Sequence, residues 1–301
     1  MKLLITGGLG HIGSFVINRL TKIKKLKKIY IIDNFCGGNY HILKKIKHPK
    51  IVFIFLDLKY QKQLLKLPKV NIVLHLASIT NAEKSYEEKK EIFRNNLSSF
   101  KNIIHYCKIY NSKLIHISST SVYGPQKKNV DETEKELFPT SPYSIIKLKE
   151  ENLLKKQKKF KFITLRFGTI SGYSEGMRFH TAVNKFCLNA VMKIPIPIWD
   201  NGKVLKLKRP YLSLNDALRV FKFIINNNFF PNEIFNIFSE NKSISQILNI
   251  LKKNKLKPII EPVRSKISNS QSYIINRKKI KNLKLSSKIS DDIKKIITYL
   301  K

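Results

Sequence analysis

Short apolar runs alternate with longer amphipathic stretches along the first two-thirds of the chain. The apolar runs are nearly continuous, which is typical of strands buried on both faces of a sheet. They predict strands at 2–6, 28–33, 51–56, 71–76, 113–118 and 161–167. The amphipathic stretches predict helices at 11–24, 59–67, 88–110 and 142–159. Strands that alternate with helices in this way indicate βαβ units and a parallel sheet.

The alternation becomes irregular after about residue 170, where Gly and Pro interrupt the apolar runs. We therefore expect an α/β fold, with a doubly wound parallel sheet and a smaller C-terminal α/β lobe that closes over the mouth of the sheet. The predicted division is a sheet domain at 1–170 and a mainly substrate-binding lobe at 171–301, some segments of which return to the sheet.

A glycine-rich segment joins the first predicted strand to the first predicted helix. Gly7, Gly10 and Gly13 are spaced so that a pyrophosphate can approach bare backbone at the positive end of a helix. Asp33 ends the second strand, where a carboxylate accepts hydrogen bonds from ribose hydroxyls and repels a 2′-phosphate. Asn34 follows, and no Arg stands beside it. The sequence thus predicts that residues 1–170 form a Rossmann fold that binds NAD.

A second group of polar residues follows the fifth predicted strand. Ser119 lies at its carboxyl end, where ligands bind in open α/β sheets. Tyr143 and Lys147 are four residues apart and share one helix face. An ammonium group near a phenol favours the phenolate, so we expect Lys147 to lower the pKa of Tyr143 and make it a usable base.

Composition excludes several classes of protein. The chain has 301 residues, of which 43% are hydrophobic, and a formal net charge of +38. The basic residues are mostly Lys and are scattered, so we attribute the charge to AT-rich codon usage and predict no specific nucleic-acid partner. The three cysteines are widely spaced and suggest neither a disulfide framework nor a metal site. The longest apolar runs are too short to span a membrane and no signal peptide is evident, so we expect a cytoplasmic protein without a membrane partner.

Ordered motifs along the whole chain resemble the extended short-chain dehydrogenase/reductases, the NAD-dependent epimerase/dehydratase group typified by UDP-galactose 4-epimerase. Besides the glycine-rich segment at 6–13 and the Tyr-x-x-x-Lys motif at 143–147, matching segments lie at 57–58, 75–78, 95–97, 118–124, 165–167, 209–216 and 234–237. The resemblance implies that Tyr143 is the catalytic base, assisted by Ser119 and Lys147.

The resemblance also implies further binding residues. NAD contacts are expected at Gly7, Gly10, His11, Ile12, Gly13, Asp33, Asn34, Asp57, Leu58, Leu76, Ala77, Ser78, Asn96, Tyr143 and Lys147. Substrate contacts are expected at Ser119, Thr120, Tyr143, Thr169 and Arg209, and the polar residues Arg178, His180 and Asn184 are further candidates in the lobe.

Three functions remain open at this point. The first is a nucleotide-sugar epimerase that oxidises a sugar hydroxyl, at C4 by analogy, and reduces the keto-sugar again on the same NAD. The second is a nucleotide-sugar 4-dehydrogenase or ketoreductase in polysaccharide biosynthesis, and the third is a non-catalytic NAD-binding protein. A dehydratase is disfavoured, because Ser119, Thr120 and Ser121 stand where dehydratases carry Thr-Asp-Glu. The resemblance further implies a homodimer through the helices at 88–110 and 142–159.

Overall fold

The computed structural model describes residues 1–80, 89–126, 128–199, 204–263, 274–280 and 283–301. Its largest sheet has seven parallel strands. They are β1 (Lys2–Thr6), β2 (Lys28–Asp33), β3 (Ile51–Phe55), β4 (Ile72–His75), β5 (Lys113–Ser119), β6 (Phe162–Phe167) and, later in the chain, β10 (Ile234–Ile237).

The strands are arranged in the order β10-β6-β5-β4-β1-β2-β3. The chain begins in the centre, runs to one edge at β3 and then returns to place β4 on the other side of β1. The direction of winding therefore reverses between β1 and β4. Ligands bind at the carboxyl ends of the strands at such a reversal, so the topology places the site beside the loops that follow β1, β4 and β5.

Eight α-helices flank the sheets in the described part of the chain. They are α1 (His11–Leu20), α2 (Gln61–Leu64), α3 (Lys89–Tyr110), α4 (Pro142–Lys155), α5 (Ala182–Met192), α6 (Leu214–Asn227), α7 (Ile244–Lys253) and α8 (Ile289–Leu300). Val16 of α1 and Phe221 of α6 pack on one face of the seven-stranded sheet, and Phe100 of α3 and Leu154 of α4 pack on the other. Both faces are covered, which explains why the strands are almost wholly apolar.

The lobe is built on two small sheets. One contains β7 (Thr169–Ser171), β9 (Lys208–Ser213) and β11 (Glu240–Ser243), and the other pairs β8 (Ile196–Trp199) with β12 (Ile260–Val263). Helices α5, α7 and α8 bury their own apolar cluster, which includes Val183, Ile247 and Ile293. The lobe therefore has a hydrophobic core separate from those of the main sheet.

The predicted doubly wound sheet with a smaller C-terminal lobe is confirmed. All six predicted strands are present, but the helix predicted at 59–67 contains only Gln61–Leu64. A seventh strand, Ile234–Ile237, comes from beyond residue 170 and joins the edge of the sheet. The division at residue 170 stays a prediction. Among the described helices, none combines the length and apolar character needed to span a membrane.

Candidate active site

A cavity of about 400 Å³ lies at the carboxyl ends of the central strands and is covered by the lobe. The glycine-rich segment lines one end of it. Ser119, Tyr143 and Lys147 line the same cavity. The two motifs are more than a hundred residues apart in the sequence, and the fold brings them into one continuous space.

The glycine-rich segment has no room for side chains at two positions. A Cβ on Gly7, whose φ is +63°, would lie 2.7 Å from the backbone of Ala77. A Cβ on Gly13 would lie 2.3 Å from the carbonyl oxygen of Gly8. Helix α1 begins directly after Gly10 without a side-chain cap, so its first N–H groups point toward the cavity without a capping partner. This backbone cradle fits the pyrophosphate of a dinucleotide.

The adenosine end of the predicted cofactor site is formed by the end of β2. Asp33 accepts hydrogen bonds from the N–H of Leu9 at 3.0 Å and from the N–H of Phe35 at 2.9 Å, one on each carboxylate oxygen. Each oxygen keeps a lone pair for a ribose hydroxyl. Asn34 donates to Asp57 at 3.1 Å. Burial raises the pKa of Asp57, but the bonds from Lys59 and Asn34 outweigh it and hold that pKa below its ordinary value.

Local structure places Tyr143 and Lys147 at the start of α4. Ser141 is the N-cap of this helix and forms a capping box with Ser144. Pro142 occupies the first turn, where it needs no N–H partner. Tyr143 therefore lies in the first turn and Lys147 one turn later, with the Lys147 ammonium 5.8 Å from the centre of the Tyr143 ring.

The electrostatics of Tyr143 differ from the sequence-based expectation. Burial raises the pKa of the Tyr143 phenol above its ordinary value, although Lys147 and Arg178 act to lower it. Glu150 acts in the same direction as burial. Lys147 therefore acts on the pKa of Tyr143 in the expected direction, but in the protein alone burial outweighs it. The charge of Lys147 is matched by a neighbouring carboxylate that the sequence analysis left out.

The lobe reaches the glycine-rich segment through a loop at 172–181. Three hydrogen bonds attach it to the first turns of α1: His11 Nε2 to Gly172 O at 2.8 Å, Ser174 Oγ to His11 O at 2.9 Å, and Gly176 N to Ser14 Oγ at 3.0 Å. Burial lowers the pKa of His11 to about 4, so its ring is neutral and Nε2–H donates. The side chain of His11 thus anchors the lobe.

Arg178 projects from this loop over the glycine-rich segment. It donates a hydrogen bond to the Thr80 hydroxyl, and its Nη2 lies 3.4 Å from the position that a Cβ on Gly10 would take. Within the described residues no carboxylate forms an ion pair with Arg178. Its charge therefore faces the start of α1, where the helix already favours an anion.

The predicted residues separate into those that line the cavity and those that do not. The lining contains Gly7, Gly10, His11, Ile12, Gly13, Leu76, Ser78, Ser119, Thr120, Tyr143, Lys147, Thr169, Arg178 and Arg209. Asp33, Asn34, Asp57, Leu58, Ala77, Asn96 and Asn184 lie outside it. Asn184 is fully buried in α5 and donates to the carbonyl oxygen of Arg178 at 3.0 Å.

Several polar residues near the site escaped the sequence analysis. His75 and Thr80 line the cavity, and Glu150 accepts a hydrogen bond from Lys147. His180, which the sequence offers as a candidate polar ligand in the lobe, also lines the cavity. The spacing of Lys147 and Glu150, three residues apart on one helix, was visible in the sequence. The position of Thr80 depends on how two loops meet, and no sequence pattern predicts that.

The described lining of the cavity carries basic side chains and no acidic ones. It includes Lys147, Arg178 and Arg209, several hydroxyl groups, and no Asp or Glu. Such a surface favours phosphate-bearing ligands. Among the described residues no group of His, Cys, Asp and Glu side chains is arranged to hold a metal ion.

Comparisons with known proteins agree with this geometry. Residues 3–237 match the model of the NAD dependent epimerase/dehydratase family. The chain is 23% identical to an uncharacterized UDP-glucose epimerase of Bacillus subtilis, covering 100% of this chain and 98% of that protein. It is 25% identical to a solved UDP-glucuronic acid 4-epimerase variant of Bacillus cereus, bound to NAD and a fluorinated UDP-sugar, with a TM-score of 0.82 over 100% and 99% of the two chains.

A longer relative shares the same region. The chain is 26% identical to a trifunctional UDP-glucose 4,6-dehydratase, 3,5-epimerase and reductase of Arabidopsis thaliana. The match covers 93% of this chain but 44% of that protein. The similarity therefore concerns less than half of the plant protein.

Proposed function

The chain belongs to the NAD dependent epimerase/dehydratase family, and on that premise we propose that it is a nucleotide-sugar epimerase that uses Tyr143 as its base. One observation carries the proposal. A single cavity joins the glycine-rich cradle to Ser119, Tyr143 and Lys147, and its described lining is cationic without a carboxylate. NAD is the family's cofactor, and when bound it accepts a hydride from a sugar carbon and returns it.

The residues of this chain divide the remaining work. Tyr143 takes the proton of a sugar hydroxyl as that carbon is oxidised, and gives it back in the reverse step. Ser119 lies on the same cavity and hydrogen-bonds the same sugar oxygen. Lys147 stabilises the phenolate and holds the ribose near it. We assign the oxidised carbon to C4 by analogy with the 4-epimerases among the relatives.

The binding groups are assigned by charge and position. The N–H groups at the start of α1 hold the cofactor pyrophosphate, and Asp33 holds the adenosine ribose. We assign Arg178 to the cofactor pyrophosphate rather than to the sugar, because it lies against Gly10. Arg209, Thr169 and Thr120 also line the cavity and are assigned to the nucleotide sugar.

Water elimination is not part of the proposal. Ser119 ends β5, Thr120 and Ser121 begin the turn that follows it, and the described lining offers no carboxyl group to protonate a leaving hydroxyl. Epimerisation needs none, because the substrate and the product differ in configuration alone.

The proposal extends to assembly and location. We propose a homodimer in which α3 and α4 pack against a second copy. We place the enzyme in the cytoplasm, where its buried thiols Cys107 and Cys187 stay reduced. We propose that its product is used in polysaccharide biosynthesis.

To test the proposal, the purified protein is incubated with UDP-hexoses and UDP-hexuronic acids. The configuration of the sugar is followed by NMR, and the reduced cofactor is followed by its near-ultraviolet absorbance. We expect a C4 epimer to form without net reduction of NAD. Tyr143→Phe should lower the rate by roughly a hundredfold to ten-thousandfold while the NAD content stays unchanged. Stoichiometric reduction of added NAD would instead support the net dehydrogenase.

A further inference from the structure

Lys147 has a buried counterion one helical turn away. Its ammonium donates to Oε2 of Glu150 at 2.8 Å. Lys147 is 3% exposed and Glu150 is 1% exposed, so water does not screen the pair. Burial by itself would lower the pKa of Lys147 and raise that of Glu150, but their attraction, together with Tyr143 acting on Lys147 and His116 acting on Glu150, outweighs burial. The pair is therefore ionised at neutral pH.

His116 on β5 fixes the carboxylate from the other side. Its Nε2 lies 3.0 Å from the same oxygen, Oε2 of Glu150. Its Nδ1 lies 3.3 Å from the Thr164 hydroxyl, and its ring packs on Phe100 with centroids 4.7 Å apart. Burial lowers the pKa of His116, so the ring is neutral: Nε2–H donates to Glu150, and Nδ1 accepts from Thr164. His116 thus orients the carboxylate without adding a charge.

In the part of the chain that the structure describes, few other charged groups lie near Tyr143. Glu151 follows Glu150 in the sequence, but its carboxylate accepts hydrogen bonds from Arg166 at 2.7 Å and from the Ser118 hydroxyl at 2.6 Å. His75 on β4 is neutral because burial lowers its pKa to about 3. Glu150 therefore matches Lys147, and among the described residues Arg178 from the lobe is the remaining cation that acts on the Tyr143 phenol.

We propose that Glu150, oriented by His116, is a positioning residue that fixes the Lys147 ammonium and restrains ionisation of Tyr143. The inference rests on the proposed function, in which the same phenol takes a proton during oxidation and returns it during reduction. A phenol that ionised too readily would be a poor acid in the second step. Glu150 offsets the charge of Lys147 and leaves its hydrogen-bonding geometry in place.

The test is an ultraviolet titration of tyrosinate in the purified protein with its cofactor content measured. Each sample is compared with its Tyr143→Phe counterpart, so that the difference reports Tyr143 alone. In Glu150→Gln the amide oxygen can still accept from Lys147, but the negative charge is gone. We expect the Tyr143 titration to move about one pH unit lower.

Two further variants keep the test decisive. Glu150→Asp keeps the charge but draws it back by one methylene, so we expect a smaller shift in the same direction. If Glu150→Gln does not fold, Glu150→Asp is the variant whose Tyr143 titration is measured instead. Lys149→Gln removes an exposed charge from the same helix, and solvent screening should leave the titration of Tyr143 in place.

The outcomes separate the two levels of the argument. A Tyr143 titration that stays in place or moves higher in Glu150→Gln and Glu150→Asp overturns the role of Glu150 and leaves the proposed function standing. Unchanged epimerase activity in Tyr143→Phe would remove Tyr143 as the base. In that case both proposals fail.

Discussion

The two walls of the cavity are built in different ways. The sheet wall, formed by residues 7–13, 118–124 and 141–147, is fixed by backbone contacts such as that between Gly13 and Gly8. The lobe wall, formed by residues 169–170, 178–182 and 209, carries its groups on side chains, and its loop is attached to α1 by three hydrogen bonds. We expect the sheet wall to be sensitive to an added atom, and the lobe wall to respond to a changed hydrogen bond or charge.

The largest effect is expected beneath the lobe wall, at Asp292 of α8. This buried carboxylate accepts from Ser171 at 2.6 Å and from Ser213 at 2.9 Å, and so joins β7 to β9. Burial raises its pKa to about 6 despite the two hydroxyl groups. Below about pH 4 the carboxyl is protonated in both the folded and the unfolded chain. Between about pH 4 and about pH 6 the unfolded chain loses its proton first, so stability falls as the pH rises.

Asp292→Asn removes this dependence. As the pH rises from about 4 to about 7, we expect the unfolding free energy of the native protein to fall by up to about 3 kcal/mol relative to that of the variant. Urea denaturation at several pH values measures the difference. Asp291→Asn is the control, because it removes an exposed carboxylate from the same helical turn. Parallel pH dependences for the native protein and Asp292→Asn would contradict the prediction.

The next effect concerns the sheet wall. In Gly13→Ala the new Cβ would lie 2.3 Å from the Gly8 carbonyl oxygen, so the backbone of the cradle must move. Overpacking of this kind costs about 2 kcal/mol, and we expect roughly thirtyfold weaker NAD binding. NAD retained per chain after gel filtration gives the readout.

Gly37→Ala is the matched control for this change. Its Cβ would come no closer than 3.4 Å to a neighbour, the Asn39 amide, so NAD retention should equal that of the native protein. Full retention by Gly13→Ala would show that the cradle is more adaptable than its contacts indicate.

The same contrast explains what the sequence could predict. The sheet wall follows local rules: glycine where a Cβ does not fit, a capped helix start before Tyr143, and polar residues where strands end. The positions of Arg178 and Asn184 depend on how a separately packed lobe docks on α1. The sequence analysis therefore treated both as substrate candidates, whereas Arg178 lies against the cradle and Asn184 is enclosed in α5.

Glu150 was missed for another reason. Its pairing with Lys147 was visible as helical spacing, but its burial beside His116 depends on the register between α4 and β5. The sequence also identified the segment at 234–237 as a motif without predicting that it forms the edge strand β10. A short strand whose partner lies far away in the sequence shows little hydrophobic periodicity of its own.

A smaller effect sharpens the assignment of Arg178. Arg178→Gln removes a charge beside the cradle, and the loss of one charge-assisted bond should weaken NAD binding about tenfold. Arg178→Lys should recover part of that loss because it keeps the charge. Unchanged NAD retention with a higher KM for the nucleotide sugar would return Arg178 to the substrate, as the sequence alone had suggested.

The smallest effect is expected where the two walls meet. Ser14→Ala removes the hydroxyl that accepts from the N–H of Gly176, and one lost hydrogen bond costs about 1 kcal/mol. We expect the Tm to fall by about 2–4 °C and amide exchange to rise at Gly176 but not within β1. Thr298→Ala removes a comparable hydroxyl bond, to Lys294, on the exposed face of α8 and should leave exchange at Gly176 as it was. If Ser14→Ala also leaves that exchange unchanged, the lobe loop is held by its remaining contacts, and the two walls are coupled more firmly than their hydrogen bonds imply.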